Sequence, residues 1–163
     1  MRRLAVRSRV WAIVLAALWS IAATIAHAES LGALVTVTSA NGQGHEFVLE
    51  VADTEERRQR GLMFREELPE DGGMIFIYEP PQVAAMWMKN TLIPLDMVFV
   101  DAEGRIVHVA SRATPHSLEP ISAGVPVTAV IELNGGTCDR LGIGVGDRVH
   151  YEVAVTSTSS APR

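Results

Sequence analysis

The chain of 163 residues is poor in cysteine, with Cys138 alone. One cysteine cannot close a disulfide within its own chain, even in an oxidising compartment that permits the bond. Histidine is scattered as well: none of the five stands three to five residues from another, so a zinc-type ligand spacing is missing. The Gly135-Gly136 pair lacks the strand–glycine–helix setting and the lysine of a phosphate loop, which excludes nucleotide binding of that kind. No repeat and no internal linker stands out. Positive charge is short too, with a net charge of −5. Phosphate backbones attract basic patches, so nucleic acid is not an expected partner.

What is present begins with a leader. Arg2, Arg3, Arg7 and Arg9 precede an apolar run over 11–25, and Ala26, His27 and Ala28 put small residues at the cleavage positions. This layout predicts a secretory signal peptide over 1–28. The apolar run is shorter than the roughly 20 residues a membrane span needs. The mature chain is therefore expected in the periplasm or secreted, without stable membrane insertion. Removing four arginines and no acids would leave it at a net charge of −9. Residues 29–155 suit one domain with a real core. The small polar residues of 156–163 predict a disordered tail.

Strand signals dominate the domain. Alternating apolar residues predict a strand over 34–39, and Asn41-Gly42 predicts a hairpin into a second strand over 45–51. Asp53 followed by Glu56 has capping-box spacing, and Gly61 offers a helix stop. One short helix is predicted over 54–60, its exposed arginines and glutamates compensating one another. Further strands are predicted over 74–78, 84–88, 95–100, 105–110, 125–133 and 148–155. Many short strands with Gly/Pro turns predict a mainly β fold, a β-sandwich or barrel with one short helix as an accessory.

The chemistry concentrates in the run "AAMWMKNTLIPLDMVFVD", 84–101. On a strand, Met86 and Met88 share one face and Trp87 takes the other. Two thioethers could chelate Cu(I), with His45, His108 or His116 adding an imidazole and Trp87 a cation–π cap. Methionine is also an ordinary core filler. Asp96 enters an apolar strand, so it faces solvent or is buried with a partner, for which Lys89, Arg60 and Arg65 are candidates. Glu132 poses the same question inside "VTAVIELN". Asp96 and Glu132 lining one pocket could run acid–base or glycosidic chemistry. Cys138 lacks a base. The Ser-His-Gly-Cys pattern of L,D-transpeptidases would need histidine where Gly136 stands, and Asp139 opposes thiolate formation.

Taken together, "RGLMFREEL", "GGMIFIYEP", "MWMKNTLIPLDMVFVDAEG", "VIELNGG" and "LGIGVGD" resemble, in order and spacing, the DUF192 family of uncharacterised proteins, over residues 46–151. The resemblance implies a mainly β, jelly-roll-like sandwich and frequent export, and it brings no established activity. Its signature falls on Gly61, Leu62, Met63, Gly73, Met74, Trp87, Met88, Lys89, Asn90, Thr91, Pro94, Leu95, Asp96, Glu132, Leu133 and Gly135, and leaves Cys138 out.

The expected function is a non-catalytic exported binding or accessory domain. Its ligand would be a small molecule, glycan or peptide of the cell envelope, held by Trp87, Lys89, Asn90, Asp96 and Glu132. Lys89 would supply a point charge, Asn90 hydrogen bonds and Trp87 a stacking face. No cofactor or metal is expected. The alternatives are an envelope-polymer hydrolase using Asp96 and Glu132, and Cu(I) binding through Met86 and Met88. A further possibility is that Lys89 and Asp96 form a closed ion pair that only pins a turn.

Overall fold

The computed structural model describes residues 30–40 and 42–156. The expected signal peptide and the tail beyond Thr156 lie outside the described residues. Strands β1 (Ser30–Thr38) and β2 (Gly44–Ala52) lead into helix α1 (Glu55–Arg60). Strands β3 (Gly72–Gln82), β4 (Leu95–Val100), β5 (Ile106–Ala113) and β6 (Val127–Asn134) follow. Helix α2 (Thr137–Leu141) and strand β7 (Arg148–Thr156) complete the order. All seven strands share one sheet, in the order β5-β4-β6-β3-β2-β1-β7. Among the described residues only β2 and β3 run parallel, joined by the crossover that carries α1.

The sheet curls until its edges meet at one end. Arg105 and Arg148 form an antiparallel bridge, and the Ile106 amide donates to the Asp147 carbonyl at 2.9 Å. Of the two mainly β arrangements the sequence allowed, the barrel-like one is observed, as a half-closed barrel of one continuous sheet. Its concave side holds an inner core that includes Val35, Phe47, Leu49, Ile75, Val98, Val100, Ile131 and Leu133. An outer core on the convex side contains Leu62, Phe76, Met86, Met88, Leu95, Met97 and Phe99. The pleat sends successive side chains to opposite faces. Strand β4 is buried on both, which is why "LDMVFV" reads as a nearly unbroken apolar run.

Four local expectations need correction. Thr54, not Asp53, caps α1, its hydroxyl accepting from the Arg57 amide at 3.3 Å. The 84–88 segment is extended and alternates inward Ala84, Met86 and Met88 with outward Ala85 and Trp87, but it joins no ladder. It makes a single bridge, Met86 to Ile121. The "NGGTCDRLGIGVGD" separator holds a second helix, α2, whose N-terminus starts from a left-handed Gly136. Thr156, expected as the first tail residue, ends β7. Asn41 of the expected hairpin turn is outside the described residues, although β1 and β2 do pair antiparallel.

Candidate functional site

Three covering segments roof the outer core: α1 with the turn after it, residues 83–94, and residues 114–121. They are tied by backbone hydrogen bonds: the Phe64 amide to the Asn90 carbonyl at 2.9 Å, Met88 to Ser117 at 3.0 Å, and His116 to Thr91 at 3.2 Å. Phe64, Asn90 and His116 each adopt positive φ at these junctions, at 63°, 56° and 62°. Such conformations cost non-glycine residues and concentrate at functional sites. The Asn90 side chain is spent within the roof, donating to the Met63 sulfur at 3.7 Å.

Under the roof runs a groove of about 330 Å³ between α1 and residues 82–87, with Glu55, Arg58 and Gln59 on one wall and Tyr78 and Met86 below. It adjoins a narrow slot of about 20 Å³ that shares Arg58, Gln59, Met86 and Trp87 and adds Arg60, Met63, Lys89, Thr91 and Glu132. The slot has room for one water or one small functional group. Trp87 stands at the boundary, 47% exposed, with the Lys89 ammonium 5.0 Å from its ring centroid.

Glu132 is the anomaly. It is 4% exposed, lies on the slot wall, and makes no hydrogen bond or ion pair among the described residues. Burial raises its carboxyl to about 8, because the charged form loses its hydration and gains no donor in exchange. At neutral pH it therefore holds its proton for most of the time. Further along β3, the Tyr78 hydroxyl donates to the Met86 sulfur at 3.4 Å and is raised by burial to about 12.

Asp96 is elsewhere. Strands β4 and β6 pair Asp96 with Leu133 and Met97 with Glu132. One register step flips a side chain to the other face, so Asp96 joins the inner side while Glu132 joins the outer. Asp96 is wholly buried and accepts three backbone amides: Arg112 at 2.8 Å, Gly136 at 2.9 Å and Cys138 at 2.8 Å. It fastens α2 and the end of β5 to β4. The two carboxylates share no cleft, which removes the acid–base pair, and no Lys89–Asp96 ion pair forms among the described residues. Trp87, Lys89 and Glu132 are thus brought together, while Asp96 and the Asn90 side chain are turned to structure.

The remaining candidates are also placed. Met88 is fully buried in the outer core and off the slot wall, while the Met86 sulfur accepts from Tyr78, so the two thioethers do not line one site. Cys138 is buried, and burial together with the adjacent Asp96 carboxylate raises its thiol to about 12, far from thiolate. Sequence reasoning missed Arg58 and Tyr78. Arg58 looked like part of a solvated face, yet its guanidinium lies 5.5 Å from the Tyr78 ring centroid and donates to the Ile77 carbonyl at 3.0 Å. The signal was its place four residues before the buried Leu62, on the inward side of α1.

Comparison with known proteins agrees with this architecture. The family model DUF192, described as uncharacterized ACR, matches residues 36–151. The crystal structure of a proposed transcription regulator from Sinorhizobium meliloti 1021 is 38% identical, with a TM-score of 0.72 over 76% of this chain and 95% of that one. A protein of unknown function from Novosphingobium aromaticivorans DSM 12444 is 46% identical, with a TM-score of 0.69 over 72% of this chain and 83% of that one. No curated protein matches the chain.

Proposed function

This chain belongs to the DUF192 family, and from that premise we propose that it is a non-catalytic binding domain working outside the cytoplasm, with its ligand seated under Trp87. The ligand's end enters the slot beside Glu132, and its body lies in the groove along α1. Trp87 supplies a flat apolar face, Lys89 a charge at the mouth, and Arg58 a rigid wall. The groove volume lies at the lower end of the few hundred Å³ typical of small-molecule sites.

One observation carries the reading: a buried carboxyl, unpartnered among the described residues, on the wall of an open slot. Buried polar groups nearly always have hydrogen-bond partners. A ligand group supplies one here. The backbone strain at Phe64, Asn90 and His116 adds support, since it sits in the segments that roof the slot. The leader-like first 28 residues support export, and the net charge of −5 argues against nucleic acid.

Native mass spectrometry of the protein recovered from its own envelope fraction, without refolding, tests the reading. The wild type is expected to carry, or to take up from that fraction, an organic adduct that Trp87→Ala loses. No adduct on either protein, or the same adduct on both, would overturn it.

A further inference from the structure

We infer that the slot receives a carboxylate, the end of a peptide or a uronic acid, held between the cations Arg60 and Lys89 and hydrogen-bonded by Glu132. The inference rests on the binding reading above and adds the chemistry of the ligand. It starts from a charge imbalance. Arg57, Arg58, Arg65, Arg112 and Arg140 each have a carboxylate partner. Arg60, Lys89, Arg105 and Arg148 have none among the described residues, and of these four Arg60 and Lys89 line the slot. In a chain with 19 acidic residues against 14 basic ones, two uncompensated cations have been left at one small opening.

Among the described residues the only acid on the same wall is Glu132, and it is built to stay neutral. It projects from β6 to the convex side, flanked in the sheet by Met74 of β3 and Met97 of β4, which bring no charge. The Tyr78 hydroxyl on β3 lies within electrostatic range of it, and Arg58, Arg60 and Lys89 line the same slot. Arg58 is already spent on Asp53, Glu55 and Ile77. A protonated carboxyl donates one hydrogen bond, so Glu132 offers a donor to the ligand carboxylate while Arg60 and Lys89 offset its charge. A cationic ligand would have to place its charge beside two unpaired cations. The six-residue α1 presents its carbonyl end to the slot, an opposing influence that is small beside two full charges.

The slot's volume of about 20 Å³ suits one planar group, and the adjoining groove holds what is attached to it. Trp87 stacks on a sugar ring or lies along a peptide. Binding should weaken as pH rises through about 8, because Glu132 then ionises and repels the ligand. A cationic ligand would show the opposite slope.

Lys89 is the chain's single lysine, so reductive methylation with a ¹³C label places one side-chain reporter at the slot and keeps its charge. With the full chain purified from the cells that make it, four probes are titrated by calorimetry and by the Lys89 resonance. These are N-acetyl-alanyl-alanine, its C-terminal amide, glucuronate and glucose. One or both acids are expected to bind and shift the Lys89 signal, with their neutral counterparts at least about tenfold weaker. Which acid binds separates a peptide end from a uronate. Affinity for the acid should fall about tenfold or more between about pH 6.5 and about pH 9.5. In Glu132→Gln, which keeps a donor but cannot ionise, most of that fall should vanish. Lys89→Gln, a change at an exposed position, should weaken binding about tenfold. Neutral probes binding as tightly as the acids, or affinity rising with pH, would overturn the carboxylate assignment while leaving a binding site. No binding by any of the four would also overturn it, and the adduct measurement above would then decide the binding reading separately.

Discussion

A carboxylate inside an apolar strand has to find donors, find a counter-charge, or keep its proton. Asp96 takes the first course, with three backbone amides at 2.8–2.9 Å. Replacing it by alanine leaves those amides without an acceptor in a buried place. Asp96→Ala should therefore cost about 3–5 kcal/mol in denaturant unfolding. Cys138 shares that environment, and its buried, raised thiol should stay unmodified by thiol reagents until the chain unfolds. Glu132 takes the third course. Both acids were legible in the sequence as residues that needed an explanation, since "LDMVFV" and "VIELN" surround them with apolar neighbours. Their separation was not. It depends on the β4–β6 register, which pairs Asp96 with Leu133, and no local pattern states a register between strands distant in sequence.

At the scale of elements, the close approach of β3 to β6 sets the floor of the slot. A Cβ at Gly73 would collide with the Glu132 carbonyl oxygen, and the Leu49 side chain lies 3.2 Å from the same position. Gly73→Ala should force the two strands apart, lower stability by about 2 kcal/mol or more, and disturb the slot; thermal unfolding reads the first effect and the Lys89 resonance the second. Strand identity was readable because alternation is local: β4 was expected over 95–100 and is observed as Leu95–Val100. The 84–88 segment shows the limit of that signal. Its alternation is real, and Met86 and Met88 do point inward, but a ladder needs a partner strand and among the described residues only Ile121 reaches it. Helix α2 escaped because five residues carry too little periodicity and its cap is a glycine in the left-handed region, with no side-chain acceptor.

For the whole molecule, one sheet curled on itself creates two cores, and the slot lies in the outer one, where loops rather than strands complete the packing. Loops are the usual carriers of binding residues on a rigid scaffold. The fold also pays a pH-dependent cost for its unpartnered acid. Glu132 titrates at about 8 in the folded chain against 4.5 for an ordinary glutamate. The folded state therefore holds a proton that the unfolded state has already released between those values. Stability from this group is complete below about 4.5 and is lost as pH rises towards 8. Relative to Glu132→Gln, the wild type should lose a few kcal/mol across that window and no more above it, as read by denaturant unfolding at a series of pH values.

The most direct measurement is a ¹³C NMR titration of the Glu132 carboxyl carbon in the intact folded protein. An acid without a donor or counter-charge, buried on the slot wall, should titrate near 8. Titration near the ordinary 4.5 would mean that the carboxyl is hydrated or paired, and would contradict both the unpartnered acid and the carboxylate site built upon it.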